Sequence, residues 1–97
     1  MDELSEVFKA LGDPTRLRIM RMLAETGEIC VCKIQGALGM GQSAVSHHMA
    51  TLRHAGLVSA TRRGQWIYYR INPEALEAGP VAYLCDLADR LSRSEAA

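Results

Sequence analysis

The chain has 97 residues, 48% of them apolar, with 11 Lys+Arg against 11 Asp+Glu and three cysteines, which is the size of one small domain and excludes a large multi-domain enzyme. A chain this short buries roughly 60 to 65% of its unfolded surface, so apolar faces left uncovered favour a homodimer. No apolar run approaches the ~20 residues of a membrane span, and three cysteines are too few and odd in number for a disulfide scaffold, so free thiols in a reducing compartment are expected.

The N-terminal stretch Met1-Asp2-Glu3-Leu4-Ser5-Glu6 is acidic where a secretory signal would be basic and then apolar, which predicts a cytoplasmic protein with no membrane partner. Leu4, Val7, Phe8 and Leu11 fall at i, i+3, i+4 and i+7 and predict a first helix over about 2–11, stopped by Gly12. Asp13-Pro14 supplies an N-cap and a proline at the first helical position. The second helix that follows has Leu17, Met20, Leu23 and Ala24 as its expected inner stripe, and Thr26-Gly27 ends it. A short extended piece, Glu28-Ile29-Cys30-Val31, leads into a brief helix over about 32–38, terminated by Gly39.

Gly41 can cap a fourth helix, from Gln42 to about Ala55, with Val45, Met49 and Leu52 on its apolar face. The opposite face, with Gln42, Ser43, Ser46, His47, Ala50 and His54, is short, polar and free of charged carboxylates and amines. A helix surface built for solubility normally carries Glu and Lys there, whereas hydroxyls, Gln and His reach base edges and phosphates. Gln42, Ser43, Ser46, His47 and Thr51 are therefore the candidate DNA contacts on this helix. Two helices joined by Gly39-Met40-Gly41 are a helix-turn-helix.

Gly56 closes the fourth helix, and 57–62 and 65–71 read as two β-branched and aromatic runs around Arg63-Gly64, a tight hairpin. Arg62 and Arg63 stand at its tip with no acid nearby in sequence, beside Gln65, and a basic hairpin directly after a helix-turn-helix is a wing for phosphate or minor groove. Asn72-Pro73-Glu74 starts a last helical segment over about 74–93, interrupted at Gly79-Pro80, in which Val81, Leu84, Cys85, Ala88 and Leu91 form one stripe. Leu4, Val7, Phe8, Val81, Leu84, Ala88 and Leu91 are the expected dimer interface. The reading is one domain, 1–97, mainly α with a two-stranded β-wing. It is a homodimeric winged helix-turn-helix, with the helix-turn-helix at about 32–55, the wing at about 57–71 and dimerisation helices at about 2–11 and 74–93.

Charge is segregated along the chain. Residues 1–28 hold six acids and four bases, residues 29–73 five bases and no acid, and residues 74–97 five acids and two bases. All three histidines lie in the middle stretch. A basic module between acidic flanks suits a small reader of double-stranded DNA, because phosphate neutralisation supplies most non-specific affinity.

The segments Asp13-Pro14-Thr15-Arg16-Leu17-Arg18-Ile19, Gln42-Ser43-Ala44-Val45-Ser46-His47-His48, Leu52-Arg53-His54-Ala55-Gly56-Leu57-Val58 and Gly64-Gln65-Trp66-Ile67-Tyr68-Tyr69 together resemble the ArsR/SmtB family of winged-helix metalloregulatory repressors. The likeness covers essentially the whole chain in order. It implies a homodimer, with the first and last helices at the interface, that represses an operon until an inducer binds.

Glu28-Ile29-Cys30-Val31-Cys32 is similar to the Cys-Val-Cys box of the arsenic-, antimony-, cadmium- and lead-responsive members of that family, and paired thiolates select soft ions. The resemblance thus implies As(III) or Sb(III) as inducer, with Cd(II) or Pb(II) as the alternative and no organic cofactor. Residues two apart face opposite sides of a straight strand and differ by roughly 200° in a helix, so one ion can bind both thiols only if the backbone bends between them. The strand-to-helix junction expected here provides such a bend, and a new helix N-terminus beside Lys33 lowers thiol pKa. Lys33 departs from the acidic residue usual in arsenical members, and Gln35 stands where some carry another cysteine. Cys85 is left as a candidate third thiolate or as a small apolar residue on its stripe.

Other metal arrangements fail on spacing. His47 and His54 share a helix face but lie two turns apart, ~10 Å by helix rise, and His47 and His48 point about 100° apart. The last helix has Asp86 and Asp89 but no histidine, so a zinc site there lacks nitrogen ligands. Two other functions compete with a metalloid-released repressor. One is a redox or persulfide sensor pairing Cys85 with Cys30 or Cys32. The other is a small thiol enzyme, against which stand the absence of a βαβ pattern and of a general base near the cysteines.

Overall fold

The computed structural model describes residues 2–96. The amphipathic opening forms α1 (Asp2–Leu11), and α2 (Pro14–Thr26) begins where expected because the Asp13 carboxylate accepts from the Arg16 backbone N–H at 3.0 Å, capping the helix ahead of its first-turn proline. The inner face of α2 differs from the sequence expectation. Ile19, Met20 and Leu23 are buried, whereas Leu17 is 53% exposed and Ala24 lies at the surface. Two overlapping apolar stripes share Met20 and Leu23 in this helix, and packing against α1, α4 and the sheet selects the one containing Ile19.

Gly27, at φ +90°, lets the chain leave α2 and enter β1 (Glu28–Cys30). Next come α3 (Val31–Leu38), closed by left-handed Gly39, and α4 (Gln42–His54), entered from extended Gly41. The hairpin consists of β2 (Val58–Arg63) and β3 (Trp66–Ile71), with Arg63 paired to Trp66. Its two-residue turn is therefore Gly64-Gln65, one residue later than Arg63-Gly64. Gly64 takes φ +64° and, among the described residues, no non-glycine residue has positive φ, so the turn places its one left-handed residue at its first central position, where glycine costs least.

The hairpin wing is joined by a third strand. β1 pairs antiparallel with β3, Glu28 opposite Arg70 and Cys30 opposite Tyr68, giving the sheet order β1-β3-β2. Ile19, Leu23, Ile34, Val45, Met49, Leu52, Leu57 and Val58 are the largest fully buried side chains, with relative exposure under 2%. Each such side chain contributes roughly 1.5–3 kcal/mol of transfer free energy. The core thus lies where α2, α3, α4 and the inner sheet face meet.

After β3, Asn72 precedes α5 (Pro73–Leu76), but its side chain does not cap that helix. Its Nδ2 donates to Gly56 O at 3.0 Å instead, tying the helix start to the end of α4. The interruption at Gly79-Pro80 is a π-helical turn, Glu77–Val81, which continues into α6 (Ala82–Ala96). Pro80 has no N–H for the regular helical ladder, and the wider turn accommodates that loss without ending the helix. Tyr83 meets the Phe8 ring edge-on at 6.1 Å. Beyond it every residue from Leu84 to Ser94 is exposed, and the molecule extends to 58 Å along its longest axis. No helix among the described residues is long and apolar enough to cross a membrane.

Candidate nucleic-acid interface and thiol site

Helix α4 divides as its sequence pattern requires. Val45, Met49 and Leu52 are fully buried, and Gln42, Ser43, Ser46 and His47 are exposed together at the N-terminal end of the opposite face. Thr51 is placed differently. It is half-buried, its hydroxyl donates to His47 O at 3.1 Å, and it lines a recess shared with Glu6, Lys9 and Arg16 on the α1 side. His54 lines the same recess.

His48 plays a part that spacing arguments about metal did not reveal. Its Nδ1 lies 3.1 Å from Arg16 Nη1, and because a guanidinium only donates, His48 is the acceptor. Arg16 also donates through Nε to Ala10 O at 2.7 Å, and Asp13 Oδ2 stands 4.0 Å from His48. One arginine therefore ties the end of α1 and the start of α2 to the middle of α4. No periodicity could have found this link, since Arg16 and His48 are 32 residues apart.

On the wing, Arg62 and Gln65 are exposed, and Arg62 Nε donates to Gly64 O within its own turn at 3.2 Å. Arg63 does not stand free of acids, as its sequence neighbourhood suggested. Its guanidinium pairs with the Glu28 carboxylate and lies 4.8 Å over the Tyr68 ring. The cause is β1: in this register Glu28 and Cys30, Tyr68 and Trp66, and Thr61 and Arg63 occupy the same sheet face.

The thiols meet at the β1–α3 junction. Cys30 is the buried last residue of β1, with φ −65° and ψ 140°, and the chain turns helical at Val31, so exposed Cys32 sits in the first turn of α3. This bend overcomes the two-residue spacing. The neighbouring Cys32 side chain holds the Cys30 thiol below the usual range, helped by the backbone N–H groups of Cys32 and Lys33 and by the Lys33 charge. The Cys30 side chain in turn pushes the Cys32 thiol upward. Cys30 and Cys32 both line a cavity of about 440 Å³ whose other walls include Met22, Ile29, Trp66 and Tyr68. Two adjacent thiols are a soft donor set suited to a thiophilic ion. Cys85 does not line this cavity. It stands exposed on α6, and among the described residues no group of three His, Cys, Asp or Glu side chains gathers.

A short helix, a glycine turn, a second helix with a polar outer face, and a basic hairpin in direct succession define a winged helix-turn-helix protein. Residues 13–60 match the family described as bacterial regulatory protein, arsR family. The chain is 49% identical over 70 residues to an uncharacterised HTH-type transcriptional regulator of Methanocaldococcus jannaschii, a match covering 72% of this chain and 79% of that protein. It is 48% identical over 68 residues to the arsenic resistance transcriptional regulator ArsR1 of Pseudomonas putida, covering 70% of this chain and 53% of that one. The chain thus spans about half the length of that relative. The solution structure of a homodimeric winged helix-turn-helix DNA-binding domain from Mycobacterium bovis, a possible ArsR-family regulator, superposes with TM-score 0.73 at 36% identity, covering 91% of this chain and 80% of that one. This chain belongs to the arsR family of bacterial regulatory proteins.

Proposed function

We propose that this chain, acting over residues 1–97 as one domain, is a cytoplasmic homodimeric transcriptional repressor that leaves its operator when As(III) or Sb(III) is captured by Cys30 and Cys32. Cd(II) and Pb(II) are the competing ions that the same soft donors accept. The observation that carries this reading is the meeting of two thiols at the first turn of α3, because α3 is also the first helix of the helix-turn-helix. The arsenic-resistance name of the Pseudomonas putida relative supports the choice of ion.

Gln42, Ser43, Ser46 and His47 are assigned to the major groove and Arg62 and Gln65 to phosphate or minor groove, with Thr51 supporting α4 from behind. The open apolar face of α6, with Val81, Leu84 and Leu91, supports pairing of two copies, and a two-fold dimer reads an inverted repeat with half-sites about one helical turn apart or a multiple of it. A third thiolate from Cys85 would need a second copy to bring it to the site.

A bound ion holds both sulfurs at one spacing and so fixes the β1–α3 junction. α3 packs on α4, and α4 presents Ser43 to His47 to DNA, so the two binding events oppose each other with a typical coupling of about 1 to 3 kcal/mol. The test is a DNA-release titration of the reduced protein with As(III), Sb(III), Cd(II) and Pb(II). Cys30→Ser and Cys32→Ser should bind operator and fail to release it. Release of the doubly substituted protein by trivalent arsenic would eliminate this site as the sensor.

A further inference from the structure

His48 is half-buried beside the start of α2, and one edge of its ring is already committed. Its Nδ1 accepts from Arg16 Nη1 at 3.1 Å. A ring that accepts at Nδ1 is neutral and carries its proton on Nε2, so Arg16 fixes Nε2 as an N–H donor. Among the described residues no group accepts from Nε2, and no side-chain nitrogen or oxygen is buried without a partner, so this N–H reaches the solvent. The side chain is only 16% accessible, which leaves little besides that edge for a ligand to meet. Asp13 stands 4.0 Å away on the Nδ1 side, and the Arg16 guanidinium lies closer to the ring than this carboxylate does.

His48 follows exposed His47 in the second turn of α4, and successive helix residues point about 100° apart. It therefore stands on the flank of α4, beside the face that Ser43, Ser46 and His47 form. An α-helix of roughly 10–12 Å diameter fills a major groove about 12 Å wide. The outer face of such a helix meets base edges, and its flanks meet the sugar-phosphate walls.

We propose that His48 is a phosphate contact, its Nε2–H donating to a backbone phosphate oxygen on the wall of the groove that α4 enters, with Arg16 holding the ring in position. This rests on the reading of α4 as the groove helix and adds to it a contact that carries no sequence information. Because the ring is neutral, the contact displaces no counterion, unlike one made by Arg62.

The experiment measures, by fluorescence anisotropy, binding of the full reduced chain to a duplex that the parent protein selects from a random pool and to an unrelated duplex of the same length. His48→Asn places an acceptor oxygen near Nδ1 and removes the Nε2 edge, whereas His48→Gln carries an amide N–H to the place of Nε2. His48→Asn should weaken binding of both duplexes about tenfold while keeping the parent's salt slope and urea midpoint, and His48→Gln should recover most of that loss. Neutral methylphosphonate linkages walked along the selected duplex should reveal one position whose cost to the parent disappears in His48→Asn. If His48→Asn lowers the urea midpoint, the linkage comparison decides, because each protein is then compared with itself. Parent-like binding by His48→Asn, a loss confined to the selected duplex, equal losses in the Asn and Gln variants, or linkage costs that match in both proteins would overturn the contact and leave the groove reading standing. Failure of the parent to select any duplex, or full affinity in a Ser43→Ala, His47→Ala protein, would overturn the groove reading and this inference with it.

Discussion

Arg63, the last residue of β2, and Glu28, the first residue of β1, are joined through both terminal guanidinium nitrogens and both carboxylate oxygens across 35 positions of sequence. The pair is partly exposed, with side chains 56% and 30% accessible, so its contribution to stability is at most about 1 kcal/mol. Its larger consequence is for charge. Glu28 also lines the thiol cavity, and it engages one of the two wing-tip cations.

The wing arginines should therefore be unequal in DNA binding. Arg62→Ala should reduce the magnitude of the salt slope of log K by about one, and Arg63→Ala by clearly less, because its guanidinium is already paired. Glu28→Gln should release Arg63 and steepen the slope. Equal slopes for the two arginine variants, together with no effect of Glu28→Gln, would remove this ion pair from the account of DNA binding.

The cap on α2 gives a pH dependence with a defined sign. The Arg16 backbone N–H bonded to Asp13, aided by the nearby Arg16 charge, holds the carboxyl below the usual range. A carboxyl with a lowered folded pKa contributes stability that is fully present above its unfolded pKa, about 3.9, and is lost as pH falls through the folded value. Asp13→Ala should lower the urea midpoint at neutral pH, and Asp13→Asn should lower it less, since asparagine also caps. The advantage of the parent over Asp13→Asn should shrink as pH falls below about 4. A difference that stays constant down to strongly acid pH would mean that the carboxylate is not the stabilising form.

Along α6, Leu84 is 54% and Leu91 61% exposed, with Val81 at 48%. Leu84→Glu places a charge in the middle of that face and touches nothing in the core of its own chain. It should sediment as a monomer and bind a two-half-site operator about a hundredfold more weakly or worse, because the second half-site contact is no longer intramolecular. A dimer persisting at the same concentration would move the interface elsewhere.

The thiols should be separable by function. Cys85→Ser should retain metalloid-driven release, because Cys85 lies outside the cavity on the exposed face of α6. Cys32→Ala should raise the pKa of Cys30 toward the ordinary thiol range, since the Cys32 side chain is the main cause of its lowering. Ultraviolet thiolate absorbance followed against pH measures this. A Cys85→Ser protein that lost release would place its thiol in the site.

Helix α1, the Asp13-Pro14 start of α2, the glycine-bounded α4 and the hairpin were legible in the sequence because their causes are local: periodicity within one helix, a cap three residues from its donor, a glycine where φ must be positive. The exposed polar end of α4 and the two-residue cysteine spacing were legible for the same reason. Packing alone decided that α2 buries Ile19 and leaves Leu17 at the surface, because a helix with overlapping apolar stripes has no internal preference between them. Likewise only the pairing of β1 with β3 placed Glu28 against Arg63, and Trp66 and Tyr68 beside Cys30 and Cys32. Strand register across a separation of some forty residues follows from which faces the core can bury, and no local signal encodes it.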